Sequence, residues 1–220
     1  MSLKIKKECH MALRKVYGLI NKEYKIPSIY LEMDKRGFIS LETFLWLNEM
    51  EWIPLNDIYN YEYEDDESKL IIPFAHTGAG DKWVWIVNDE NKEYCVGLCE
   101  NPEITGVYYA KNTEDAILRQ IIEYVASSNF YMCKEDAELY QVSEEELKAQ
   151  LVGWKNRFSG ILNDRYTALI EELSQLSLKH IKCQFGEWDA LLSLEEQDEL
   201  IEKYIRFDKM DDEFEWFVEE

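Results

Sequence analysis

The first periodic stretch lies near residues 4–20, where Cys9, Ala12, Leu13, Val16, Tyr17 and Ile20 recur at helical spacing and Lys6, Lys7, Arg14 and Lys15 fall outside the stripe. A basic amphipathic helix can lie on a membrane, but docking on a sheet is the expectation here because the rest of the chain is acidic. Ser40 reads as the N-cap of a short helix through Phe44, Leu45 and Leu47 that stops before Pro54. The pattern then turns to strands. Ile58-Tyr59-Asn60-Tyr61-Glu62-Tyr63 alternates, and Glu64-Asp65-Asp66-Glu67 reads as a solvated turn. Short β-branched and aromatic runs follow at Leu70 to Ala75, Trp83 to Val87, Glu93 to Leu98 and Thr105 to Ala110. The run Trp83-Val84-Trp85-Ile86-Val87 is apolar throughout, which predicts a central strand covered on both faces. Trp83 and Trp85, two apart, should share one face beneath helices.

Helical spacing returns after the strands. Thr113 opens a helix with Glu114 and Asp115 in its first turn and Ile117, Ile121, Tyr124 and Val125 on one side. Capping boxes at Ser143–Glu146 and Ser193–Glu196 start two more. The first leads into Leu147, Leu151, Trp154, Phe158 and Ile161, with Gly160 as a candidate break; the stripe resumes at Tyr166, Leu169, Ile170, Leu173 and Leu176. The second runs to about Tyr204. The expected architecture is α+β, a single twisted and mainly antiparallel sheet against helices. Residues 1–135 form the α+β domain and residues 136–220 a mostly helical extension packed on it.

Composition narrows the function classes. The 220 residues carry 24 basic and 45 acidic side chains, a net charge of −21. Residues 1–40 are net +5, 41–140 net −15 and 141–220 net −11, so the acidic field lies beyond the first helix. Such a surface repels phosphate backbones and anionic lipid, which argues against nucleic-acid and membrane partners. No apolar run is long enough to span a bilayer, and no signal-peptide pattern follows Lys4, Lys6 and Lys7. Five scattered cysteines suit a reducing cytoplasm.

Candidate chemistry is sparse. Cys95 and Cys99 are four apart, roughly 13 Å in a strand, too far to share one zinc ion or a disulfide. His180 and Cys183 would share a helix face but lack two further ligands at a known spacing. His76 and Asp81 flank the glycine-rich loop, yet the loop contains no serine or cysteine nucleophile. No catalytic role, metal or organic cofactor is therefore expected. Thr77-Gly78-Ala79-Gly80-Asp81 lies between two strand patterns, so it reads as a hairpin in which Gly78 or Gly80 supplies a positive φ. A phosphate-cradling loop would lead into a helix.

Ile72-Pro73-Phe74-Ala75, then Gly78-Ala79-Gly80-Asp81 and the aromatic strand with Trp83 and Trp85, resembles the core signature of the SUKH superfamily, which groups fungal regulators of cell-wall synthesis with bacterial immunity proteins. The helix from Thr113 matches the family's closing helix. The likeness covers residues 4 to about 127, although Asn48 lacks the glycine that usually follows it. It implies a binding module and not an enzyme, most concretely an immunity protein that neutralises a bacterial toxin; the alternative is a regulatory or scaffolding protein with another partner. Pro73, Gly78, Gly80, Asp81, Trp83 and Trp85 are then structural residues, with the Asp81 carboxylate tying the turn. A basic partner would meet the acidic positions Glu62, Glu64, Asp65 and Asp66, joined by Asp89 and Glu90 at the next strand turn.

Overall fold

The computed structural model describes residues 25–39, 50–87, 94–101, 103–131, 140–184 and 186–217. The expected helices at 4–20 and after Ser40, and the candidate residues Asp89 and Glu90, lie outside them.

Six antiparallel strands form the main sheet: β1 (Glu51–Trp52), β2 (Ile71–His76), β3 (Lys82–Ile86), β4 (Cys95–Cys99), β5 (Thr105–Ala110) and β8 (Glu213–Glu215), in that spatial order. The α+β architecture is as the pattern predicts. β3 is central, and its alternation separates two cores. Trp83 and Trp85 face the larger one with Ile72, Phe74, Val96 and Tyr109, whereas Val84 and Ile86 face a smaller one with Ile71, Cys99 and Trp216. Trp85 is fully buried, stacked on Phe74 at 4.5 Å between ring centroids and met edge-on by Tyr30. Its indole N–H donates to Thr113 Oγ1 at 2.9 Å. Pro73 has no N–H to give the ladder, and the β2–β3 register shifts beside it.

Helices cover the first face. α1 (Ser28–Lys35) and α2 (Leu55–Tyr59) are short; α3 (Thr113–Ser127) is capped by the Asn112 side chain, which accepts from Asp115 N. α3 is buried well beyond one stripe, at Ala116, Ile117, Leu118, Ile121, Ile122, Val125 and Ala126. Later elements pack on it from outside: α4 (Glu144–Phe158) through the Trp154 ring on Tyr124, and α5 (Asp164–Ser174) through the Tyr166 hydroxyl, which donates to Asp115. Both expected capping boxes form, opening α4 and α6 (Leu194–Tyr204). α4 stops at Phe158, and Gly160 follows with φ +71°.

Three sequence expectations are corrected. Ile58–Tyr63 is not a strand: Pro54 starts the single-turn helix α2, Asn60 ends it by donating its side-chain amide to Asn56 O, and residues 60–67 cross the second sheet face without pairing as a strand. The alternation reflects Tyr61 and Tyr63 turning toward each other, with centroids 4.9 Å apart. The last third also holds strands, since β6 (Lys179–Cys183) and β7 (Gly186–Ala190) form a separate hairpin anchored by Trp188, whose indole donates to Ala126 O. His180 and Cys183 sit on β6, so a three-residue separation turns them to opposite faces.

β8 is seated by two glycines. Its Phe214 ring lies over Gly97 and Gly106, where an added Cβ would fall 2.6 Å and 2.7 Å from ring carbons. At Gly106 the same Cβ would also be 2.8 Å from the Leu98 carbonyl oxygen, a backbone atom. Gly106→Ala is therefore expected to cost about 1–3 kcal/mol, as overpacking does. Adding Phe214→Ala should relieve only the ring contact and leave the clash with the Leu98 carbonyl in place, whereas it should relieve most of the cost of Gly97→Ala, which meets side chains only. Urea midpoints of the four variants check this.

Candidate functional site

The Thr77–Asp81 turn forms as a closed hairpin. Thr77 N donates to Asp81 O at 3.0 Å, and Gly80 takes φ +95°. The Thr77 hydroxyl donates to Asp81 Oδ2 at 2.7 Å, and Asp81 Oδ1 accepts from Asn101 N at 2.9 Å, so the carboxylate ties the turn to the β4–β5 loop. Asp81 is thus engaged within the fold. His76 pairs across the β1–β2 ladder with Glu51, 3.1 Å away, and not with Asp81.

The acidic segment divides into two parts. Glu62, Glu64, Asp65 and Asp66 are exposed. Glu67, predicted to be solvated with them, is buried: its side chain has no exposed surface and lies 3.0 Å from Lys82 Nζ. Glu67 also accepts from the Tyr61 hydroxyl at 3.0 Å and from Glu64 N at 3.2 Å. One buried carboxylate thereby fixes the loop that displays four exposed ones. Burial, reinforced by the Glu67 charge, raises the Tyr61 hydroxyl above the usual tyrosine range. The Lys82 ammonium lies over the Tyr61 and Trp216 rings, at 5.6 Å and 5.2 Å.

Trp216 arrives from far along the chain, and no local pattern pointed to it. The segment after Asp211 runs along β5 as β8 and then reaches the acidic loop. There Ser68 N donates to Trp216 O at 2.8 Å and Glu67 bridges Phe217. Among the described residues the second sheet face is therefore covered by two thin segments, 60–68 and 211–217, and not by helices. The signal available in sequence was Glu-Phe-Glu-Trp-Phe at 213–217, which alternates but is short.

A cleft of about 870 Å³ opens between the start of α1 and the start of α3, lined by Lys25, Ser28, Glu32, Tyr94 and Glu114 among others. Its carboxylates are engaged: Glu32 with Arg36 at 2.8 Å, which lowers its pKa, and Glu114 with the Asn163 side chain at 2.8 Å. The lining has no histidine or cysteine among the described residues. Among the described residues no three His, Cys, Asp or Glu side chains converge as a metal site. Cys95 and Cys99 share a strand and a face, and burial pushes both thiols up, away from the reactive thiolate. No described helix is long and apolar enough to cross a membrane.

Comparison of the chain with protein-family models, with curated proteins and with solved structures gave no match.

Proposed function

We propose that this protein is a non-enzymatic interaction module of the SUKH type, an immunity protein that acts in the cytoplasm and neutralises a toxin by binding a basic surface on it. The observation that carries this reading is the acidic loop: Glu62, Glu64, Asp65 and Asp66 are exposed on a segment whose neighbour Glu67 is locked into the sheet by Lys82. A carboxylate cluster held in place before binding loses less conformational freedom on association than a mobile one. A nuclease toxin must attract phosphate, so its active site is basic, and the loop can occupy that site as nucleic acid would. The hairpin, the tied Asp81 and the paired tryptophans fit the structural roles that the resemblance gives them.

Complementary charge acts chiefly on encounter, raising association from a neutral ~10⁵–10⁶ M⁻¹s⁻¹ towards ~10⁸–10⁹ M⁻¹s⁻¹ at low salt. With a toxin domain encoded beside the gene as partner, stopped-flow association should slow steeply as the Debye length falls from about 30 Å at 0.01 M salt to about 3 Å at 1 M. Replacing Glu64, Asp65 and Asp66 together by Ala should slow it further and weaken protection of cells that co-express the toxin. Stability should stay within about 0.5 kcal/mol, because these are surface positions. A salt-insensitive rate, or a triple variant that associates like wild type, rejects the acidic loop as the contact. Absence of protection by the wild-type protein rejects the immunity assignment.

A further inference from the structure

We propose that residues 211–217 are a strap and residues 61–68 a loop that open and close as one unit on the second sheet face, while the helix-covered sheet beneath stays folded. The contacts run continuously between them. At the strap's start Asp211 holds a left-handed backbone, φ +68°, which a non-glycine residue rarely adopts. Its carboxylate accepts from both Arg119 terminal nitrogens at 3.1 Å, and its N–H donates to Tyr108 O at 2.8 Å. Arg119 is fixed independently: it donates to Glu123 and to Tyr109 O, and its guanidinium lies 4.2 Å from the Tyr109 ring centre. Asp211 is thus latched to a rigid post on α3.

From that latch Phe214 drops onto Gly97 and Gly106, setting the register of the strap along β5. The register delivers Trp216, whose indole N–H donates to Glu103 O at 2.9 Å, to the place where its carbonyl accepts from Ser68 N. The Trp216 ring lies over Lys82, the Phe217 backbone bridges that of Glu67, and Glu67 holds Tyr61 and the Glu64 backbone. Moving the strap removes the cover over Lys82 and an acceptor from Ser68, so the loop keeps only its ties to β3 through Glu67 and to β2 through the Tyr63 hydroxyl, which donates to Ile71 O at 2.7 Å. β2 to β5 depend on neither segment for their first face, which is sealed by helices. Segments with few buried contacts of their own open at lower free energy than the sheet they lie on. The strap therefore positions the acidic side chains. That bearing on partner binding rests on the function proposed above; the opening itself can be measured without any partner.

The test is amide hydrogen exchange by mass spectrometry on the full chain. In wild type, peptides covering 61–68 and 211–217 should exchange at a common rate, about tenfold or more above 82–86. Phe214→Ala should speed both segments by about tenfold and leave 82–86 unchanged. Asp211→Asn keeps a residue that tolerates the left-handed backbone and removes only the charge, so both segments should speed by about two- to fivefold, as for an exposed ion pair. Leu169→Ala, in the buried face of α5, should do the reverse and speed 82–86 alone. Phe214→Ala or Asp211→Asn accelerating 211–217 without 61–68 would overturn the proposal. So would wild-type exchange of 61–68 at the rate of 82–86.

Discussion

Lys82→Met should be among the most destabilising single changes in the protein, costing about 3–5 kcal/mol. The reason lies in what remains: Glu67, with no exposed side-chain surface, would keep its charge without its only ion-pair partner among the described residues. For a chain of this length each kcal/mol moves the melting temperature by about 2–4 °C, so a fall of roughly 6–20 °C is expected. Combining Lys82→Met with Glu67→Gln should recover most of it, because glutamine removes the charge and still accepts from Tyr61 and the Glu64 backbone. Glu67→Leu should recover less, since those donors would then lack an acceptor. Thermal melts of the two single and the double variants form a double-mutant cycle. A double variant as unstable as Lys82→Met alone would show that packing under Trp216, and not the buried charge, carries the effect.

Trp85→Ala should be comparably severe, about 3–5 kcal/mol, from the cavity left between Phe74, Tyr30 and α3. Trp85→Phe tests a different part of the same residue. It keeps a ring against Phe74 but removes the N–H given to Thr113 Oγ1, so a smaller loss of about 1–3 kcal/mol is expected. Val84, the intervening residue, faces the smaller core. Val84→Ala should therefore loosen the covering of the second face, while Trp85→Ala loosens α3 on the first. Urea unfolding gives the magnitudes, and near-ultraviolet circular dichroism reports the loss of the stacked pair. Equal losses for Trp85→Phe and Trp85→Ala would mean that the hydrogen bond outweighs the ring.

The sheet was legible because its strands obey local rules. An unbroken apolar run marked the central strand, and Gly80 marked the turn between β2 and β3. Serine three residues before glutamate placed two helix starts. What stayed hidden depends on partners distant in sequence. Glu67 looks identical to Glu64 in a row of acids, and only Lys82 and Trp216 make it a buried residue. Tyr61 and Tyr63 alternate as a strand would, but the backbone pairing that makes a strand is absent. β6 and β7 hold only Ile181 and Trp188 as large apolar residues, so period-2 hydrophobicity had little to register. The acidic candidates came through because exposed charge needs no partner to be recognised. Their anchoring could not be read, because it is supplied by Lys82 on another strand and by Trp216 about 150 positions further along.

That distance has a consequence for synthesis. β5 is complete once Ala110 has been made, but its outer neighbour follows roughly a hundred residues later, so at ~5–20 residues per second the edge waits about 5–20 s. During that interval Val84, Ile86 and Cys99 lack Trp216, and the unpaired rim of β5 is open to any passing extended chain. Closure joins segments far apart in sequence, which makes it intrinsically slow. A nascent chain stalled on the ribosome before residue 211 should therefore recruit holding chaperones that a chain stalled well beyond residue 217 does not.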